Sequence, residues 1–232
     1  MNFLIQTING EVKYDFSFTL LQSIEYQNWL TPDSISYKLS DDFNEPNYIP
    51  IGSVEFVSSY LETFYGRKPK PKNIPYDLMD EYFTGRKVLN GTNINLSKGN
   101  RKFVKSNDTI KSFTELTDEA PVGNYQISDI VNFESEYRCF VYKNELVGLQ
   151  HYLGDFTIFP NISKIKDMIY HYKTNAPVAY TLDVGILSNS EDTVVVEVHD
   201  FFSCGLYGFS NYKILPFMFS RWFNEFINKK NT

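Results

Sequence analysis

Asp183, within Tyr180-Thr181-Leu182-Asp183-Val184-Gly185, and Glu197 and His199, within Val194-Val195-Val196-Glu197-Val198-His199-Asp200, have the types and spacing that suit chemistry. If both stretches are strands, alternation sends Val195, Glu197 and His199 to one face and Val194, Val196 and Val198 to the other. A hairpin turning about Ser190 then sets Asp183 across from Glu197. Carboxylates facing each other repel, unless a cation lies between them or one of them is protonated. With His199 on the same face, the trio has the character of a divalent-metal site, and its oxygen donors favour magnesium or manganese. The same residues also suit an exposed polar face, with His199 solvated and Glu197 paired to a lysine. Asp200 points to the opposite face and starts a turn.

Two further constellations concern anions. Lys105 ends the stretch Arg101-Lys102-Phe103-Val104-Lys105, and Lys111 follows across Ser106-Asn107-Asp108-Thr109-Ile110. A lysine at a strand end with a second beyond a tight turn can bracket a polyphosphate, each acting as a mobile point charge. The turn holds no glycine, so it is not a glycine-rich phosphate cradle, and two surface lysines are the simpler account. Arg138, in Glu134-Ser135-Glu136-Tyr137-Arg138-Cys139-Phe140, sits mid-strand among apolar neighbours. A charge there needs an anionic partner, which Glu136 or a bound phosphate can supply.

Covalent catalysis finds no support. His151, His171 and His199 are remote from any Gly-x-Ser-x-Gly or cysteine-centred motif. Two cysteines, Cys139 and Cys204, cannot make a four-thiolate metal site or a disulfide framework. Seventeen tyrosines and twenty phenylalanines are dispersed along the chain, as core material is, rather than gathered as a base-stacking platform. The start of the chain shows no basic stretch followed by a long apolar one, and no apolar run approaches a membrane span, so a cytoplasmic protein is expected.

The net charge of -6 is unevenly spread. Between Arg67 and Lys111 eleven basic residues stand against four acidic ones, a charge of +7 that leaves -13 for the remainder. A basic segment in an acidic chain suits a phosphate-bearing ligand, and also suits a solvated loop around Arg67-Lys68-Pro69-Lys70-Pro71-Lys72.

These residues need elements to hold them. Strands are predicted at Asn2 to Ile8 and Ile35 to Leu39, a helix at Phe16 to Trp29, and a strand end at Ile49 to Ser53 leading into a helix. Residues 67 to 100 are rich in Pro, Gly and Asn, with one helix expected near Asp77 to Phe83. Beyond Arg101 the pattern is strand-rich: Arg101 to Lys105, Tyr125 to Val131, Glu136 to Tyr142 and Leu146 to Tyr152, the last two joined by a turn at Lys143-Asn144-Glu145. Apolar residues at Ile165, Met168, Ile169 and Tyr172 predict a helix over Ser163 to Lys173. Strands at Ala179 to Leu187 and Thr193 to His199 follow, then a closing helix with Pro216 in its first turn. Hairpins outnumber parallel crossovers, so the class is α+β in two lobes.

Read in order, these pieces resemble the ATP-grasp superfamily, in particular its short phage and bacterial members of unassigned substrate. The resemblance is carried by Phe103-Val104-Lys105 with Lys111-Ser112-Phe113, Gln126-Ile127-Ser128-Asp129-Ile130-Val131, Glu136-Tyr137-Arg138-Cys139-Phe140-Val141, Asp183-Val184-Gly185, Val196-Glu197-Val198-His199-Asp200 and Gly205-Leu206-Tyr207-Gly208. It implies a two-lobed α+β ATP-grasp fold with mostly antiparallel sheets. Residues 1–100 would form an N-terminal α/β region suited to substrate recognition, and residues 101–232 the core with the ATP and metal sites. It further implies that Lys105 and Lys111 hold phosphates and that Gln126, Ser128, Asp129 and Val131 line the adenosine pocket, Asp129 toward the ribose. Arg138 would contact phosphate or an acyl-phosphate, making it and Lys105 the catalytic pair. Asp183, Glu197 and His199 would hold Mg²⁺ or Mn²⁺. The family usually carries Asn where this chain has His199.

The implied activity is an ATP- and magnesium-dependent ligase that joins a carboxylate, small-molecule or peptide, to an amine or other nucleophile through an acyl-phosphate. Two other readings remain: a nucleotide- or partner-binding protein that kept the fold and lost catalysis, and an ATP-dependent ligase of RNA ends. The acidity of the whole chain weighs against the second.

Overall fold

Runs of β-branched and aromatic residues bounded by turn residues make the strands of this chain, and amphipathic stretches make its helices. The computed structural model describes residues 1–92, 98–110 and 112–229. Cα packing divides the chain into two compact units. The first comprises Met1–Pro69, Pro177–Tyr180 and Asp200–Thr232, and the second Lys70–Ala176 and Thr181–His199.

In the first unit, strands β1 (Asn2–Gln6), β2 (Ser36–Ser40) and β3 (Ile49–Ile51) form a parallel sheet ordered β2-β1-β3. Helix α1 (Asp15–Leu30) connects β1 to β2. Helix α2 (Val54–Tyr65) follows β3; Ser53 caps it by accepting the Phe56 N–H at 3.1 Å, and Gly66 ends it in the left-handed conformation that glycine adopts freely. The closing helix α5 (Leu215–Asn228) carries Pro216 in its first turn, where a missing N–H costs nothing. Its apolar stripe is core: Phe219 meets Phe201 at 4.8 Å between ring centroids, and Trp222 stacks on Phe202 at 4.7 Å.

The second unit holds two four-stranded sheets. One is ordered β4-β7-β5-β6, from β4 (Val88–Thr92), β5 (Lys102–Ser106), β6 (Thr114–Thr117) and β7 (Asn124–Ser128). Its pairings β4/β7, β5/β6 and β5/β7 are all antiparallel. The other is ordered β11-β10-β8-β9, from β8 (Phe133–Tyr142), β9 (Glu145–Gly154), β10 (Ala179–Leu187) and β11 (Thr193–Asp200). Strands β8 and β9 form a hairpin whose two turn residues, Lys143 and Asn144, both take positive φ, as the tight primed turns require. Gly154 ends β9 at φ +84°, and a Cβ there would lie 2.1 Å from the Glu134 carbonyl oxygen, so only glycine fits. Helix α4 (Ile162–Tyr172) buries Ile165, Met168, Ile169 and Tyr172, the predicted stripe, and is capped by Asn161.

The class is therefore α+β with mostly antiparallel sheets, as expected. The helix expected near Asp77 to Phe83 is instead a 3-10 turn at Tyr76–Leu78 followed by the short helix α3 (Glu81–Thr84). The break is chemical: the Asp80 side chain accepts the Tyr82 N–H at 2.8 Å and restarts the helix. Strands β4 and β6 have no counterpart among the expected elements. Both are short and largely exposed, so they carry no apolar alternation.

Candidate active site

Five strands of the second unit, β5, β7, β8, β10 and β11, present candidate residues. Strand β10 is buried along its whole length, so a carboxylate within it must be compensated. Asp183 is 1% exposed and receives both arms of Arg138 from β8: Nε donates to Oδ1 at 2.8 Å and Nη2 to Oδ2 at 2.7 Å. Asp183 thus supplies an anionic partner for Arg138, and the Glu136 side chain accepts the Tyr152 hydroxyl of β9. This bidentate geometry suits a planar guanidinium.

On β11, Glu197 is held from two sides. His199 Nε2 lies 2.6 Å from its Oε1, and Lys105 Nζ of β5 pairs with its Oε2. Of the two readings of this face, metal site or exposed surface, the surroundings are those of a half-buried polar centre: the Glu197 side chain is 21% exposed and that of Lys105 16%. Burial pushes the Glu197 carboxyl up, but the hydrogen bond with His199 and the ammonium of Lys105 outweigh it and hold the group below the usual carboxylate range. Asp183, Glu197 and His199 each offer a ligand atom, and these atoms all lie within 4.8 Å of one another. Two carboxylates and an imidazole at that spacing fit a divalent cation. The oxygens of Asp183 that accept from Arg138 each retain a lone pair for a metal.

The remaining predicted residues follow along β7 and its exit. The Gln126 amide is engaged at both ends by Ile74, accepting its N–H at 2.9 Å and donating to its carbonyl at 2.8 Å. Ser128 is buried and pairs with Val88 on one side and Phe103 on the other. Asp129 accepts from Lys102 Nζ at 2.5 Å, and this hydrogen bond draws its carboxyl below the ordinary value. Val131 is half-buried just beyond the strand. Lys111 lies outside the described residues.

Three neighbours escaped sequence reasoning. Arg86, between α3 and β4, is buried and donates from Nη1 to the carbonyls of Thr84 at 2.9 Å and Val195 at 3.0 Å. Burial lowers its guanidinium to about 10, while Asp129 and Glu136 act in the opposite sense. The only sequence signal was its membership of the basic segment. Tyr152 supports Glu136, whose carboxyl is raised first by burial, with Asp183 and Glu197 adding to it. Asn73, immediately after the Lys-Pro stretch, bonds to both β5 and β11, and nothing in its sequence surroundings marks it.

A protein-family model for an ATP-grasp domain, family 2 of the R-two-K clade, matches residues 83–216. No functionally curated protein matches the chain by sequence. Among solved structures, the D-alanine–D-alanine ligase of Bacillus anthracis superposes with a TM-score of 0.52 at 11% identity, covering 97% of this chain and 98% of that one. The ATP-grasp ligase PsnB, complexed with a minimal precursor, gives 0.53 at 9% identity over 95% and 99%. N5-carboxyaminoimidazole synthetase of Staphylococcus aureus, complexed with ADP, gives 0.50 at 10% over 85% and 69%. At such identities the likeness is one of fold.

Proposed function

From the premise that this chain belongs to the ATP-grasp superfamily, in family 2 of the R-two-K clade, we propose that it is an ATP-dependent ligase that activates a carboxylate as an acyl-phosphate and joins it to an amine. The observation that carries this reading is the convergence of Lys105, Arg138, Asp183, Glu197 and His199 from four strands within one unit. It is a set suited to gathering phosphates and a divalent cation, and it includes no hydroxyl or thiol nucleophile. Such a site works by positioning and charge neutralisation.

In the proposed reaction a carboxylate oxygen of the substrate attacks the γ-phosphorus of ATP, and the bond to the β-phosphate oxygen breaks to release ADP. The amine nitrogen then attacks the acyl carbon, phosphate leaves, and the nitrogen gives up its proton. Lys105 and Lys111 would draw the polyphosphate into line. Arg138, already fixed by Asp183, would steady the phosphoryl oxygens. Asp183, Glu197 and His199 would hold Mg²⁺ or Mn²⁺, which supplies Lewis-acid neutralisation of the phosphate oxygens. Gln126, Ser128, Asp129 and Val131 would border the adenosine, with Gln126 acting through the segment its amide fixes. Within residues 1–100, the stretch 1–69 of the first unit would recognise the carboxylate substrate, a small molecule or a peptide, while 70–100 lie in the unit that carries the site.

Titrating ATP into the purified chain by calorimetry, with and without Mg²⁺, tests the first step. Binding that tightens with Mg²⁺ is expected, followed by phosphate release on addition of the correct acceptor from a panel of amino acids and peptides. Lys105→Ala and Glu197→Ala should each abolish turnover with the circular dichroism spectrum unchanged; turnover retained in both would overturn the reading. His199, standing where the family usually has Asn, makes a nucleotide-binding protein without catalysis the second reading. Tight ATP binding with no phosphate release for any acceptor would favour it.

A further inference from the structure

The segment at Asn73 and Ile74 crosses between the two sheets of the second unit and touches both at the candidate site. Asn73 is buried and sits at φ +47°, a left-handed conformation that asparagine tolerates better than most residues. Its carbonyl accepts the Val198 N–H at 2.7 Å, forming an isolated antiparallel bridge with β11 between Glu197 and His199. Its side-chain amide donates to the Ser106 carbonyl at 2.9 Å, immediately after Lys105 on β5, and to Asn107 Oδ1 at 2.7 Å. Ile74 is in turn fixed by the Gln126 amide on β7. One residue thus uses its main chain to hold the strand with two candidate metal ligands and its side chain to hold the strand with the candidate phosphate lysine.

We propose that Asn73 is a positioning residue that couples nucleotide affinity to metal affinity, by fixing the β5 backbone at Lys105 against the β11 backbone at Glu197. The inference rests on the ligase reading and deepens it. Lys105 and Glu197 pair directly with each other, and ligands redistribute that pair: the ammonium turns to phosphate and the carboxylate to the cation. The side-chain tie between the strands is then given up, and the Asn73 bridge, which involves neither charge, still sets their separation. A fixed separation makes ATP on one strand and a cation on the other mutually reinforcing, because each arrives at a partner already in place.

The test compares the wild-type chain with Asn73→Gly and Asn73→Asp. Glycine keeps the left-handed backbone and the bond to Val198 but lacks the amide; aspartate keeps the shape but cannot donate to Ser106. ATP is titrated calorimetrically into each, with and without Mn²⁺. In both variants the factor by which Mn²⁺ tightens ATP should fall about tenfold, while metal-free ATP affinity stays within about twofold of wild type. An unchanged factor, or an equal loss with and without metal, would overturn the positioning role and leave the ligase reading standing. A folded wild-type chain that binds no ATP under either condition would overturn both. Should the variants fail to fold, hydrogen exchange at the Val198 amide of the wild-type chain decides instead. ATP alone should slow that exchange several-fold, and no change would overturn the proposal.

Discussion

At the scale of single residues, the centre of the site is a contest between burial and pairing. Asp183 is sealed from water and Arg138 nearly so, so removing either partner strands a buried charge. Arg138→Ala and Asp183→Ala are each expected to cost about 3–5 kcal/mol in urea unfolding. Arg138→Lys should recover only part of that loss, because a point charge cannot span both oxygens. Asp129 illustrates the weaker regime. Its carboxyl is lowered by Lys102, so its contribution to stability is present above the ordinary aspartate value and fades as pH falls toward the lowered one. The pair is substantially exposed and is worth at most about 1 kcal/mol. Asp129→Asn should therefore flatten the acid limb of a stability–pH curve slightly, and 1 M salt should erase the difference. Glu197 and His199 were legible as neighbours because strand alternation has a fixed period, and Asp183 joined them through a hairpin between consecutive strands. The Arg138–Asp183 pair was not, since its members lie on different strands and only the sheet order brings them together.

At the scale of elements, legibility followed the strength of side-chain patterning. Strand β10 occupies the predicted residues, Ala179 to Leu187, because a β-branched and aromatic run ends at the polar turn Ser188-Asn189-Ser190. Strands β4 and β6 exist through backbone ladders to β7 and β5 rather than through an apolar face, and Asn90-Gly91-Thr92 gave no warning of a strand. The 3-10 turn before α3 arose from one Asp80 side chain competing with the helical backbone. Glycine makes the sharpest prediction here. Gly154→Ala combines a left-handed φ with a collision against the Glu134 carbonyl, so the end of the β8–β9 hairpin must shift. A loss of about 1–3 kcal/mol is expected in urea unfolding, whereas Gly66→Ala, open on all sides, should cost about 1 kcal/mol.

At the scale of the whole molecule, the chain builds its first unit from three separated stretches and its second from two. Periodicity reads each element where it lies, and so found α5, but it does not say which elements share a core. Helix α5 lies far along the chain yet packs with α1 and β3 of the first unit. Phe219→Ala should therefore cost about 3–5 kcal/mol, read in denaturant, by emptying a position buried against Phe201. The same interleaving sets a timetable during synthesis. Residues 1–69 leave the ribosome before the second unit but lack α5, whereas every stretch of the second unit has been made once residue 199 has emerged. Domains fold as their segments become available. The stretch 1–69 therefore waits on α5, and the strands carrying Lys105, Arg138, Asp183 and Glu197 can assemble on the nascent chain before that helix is made.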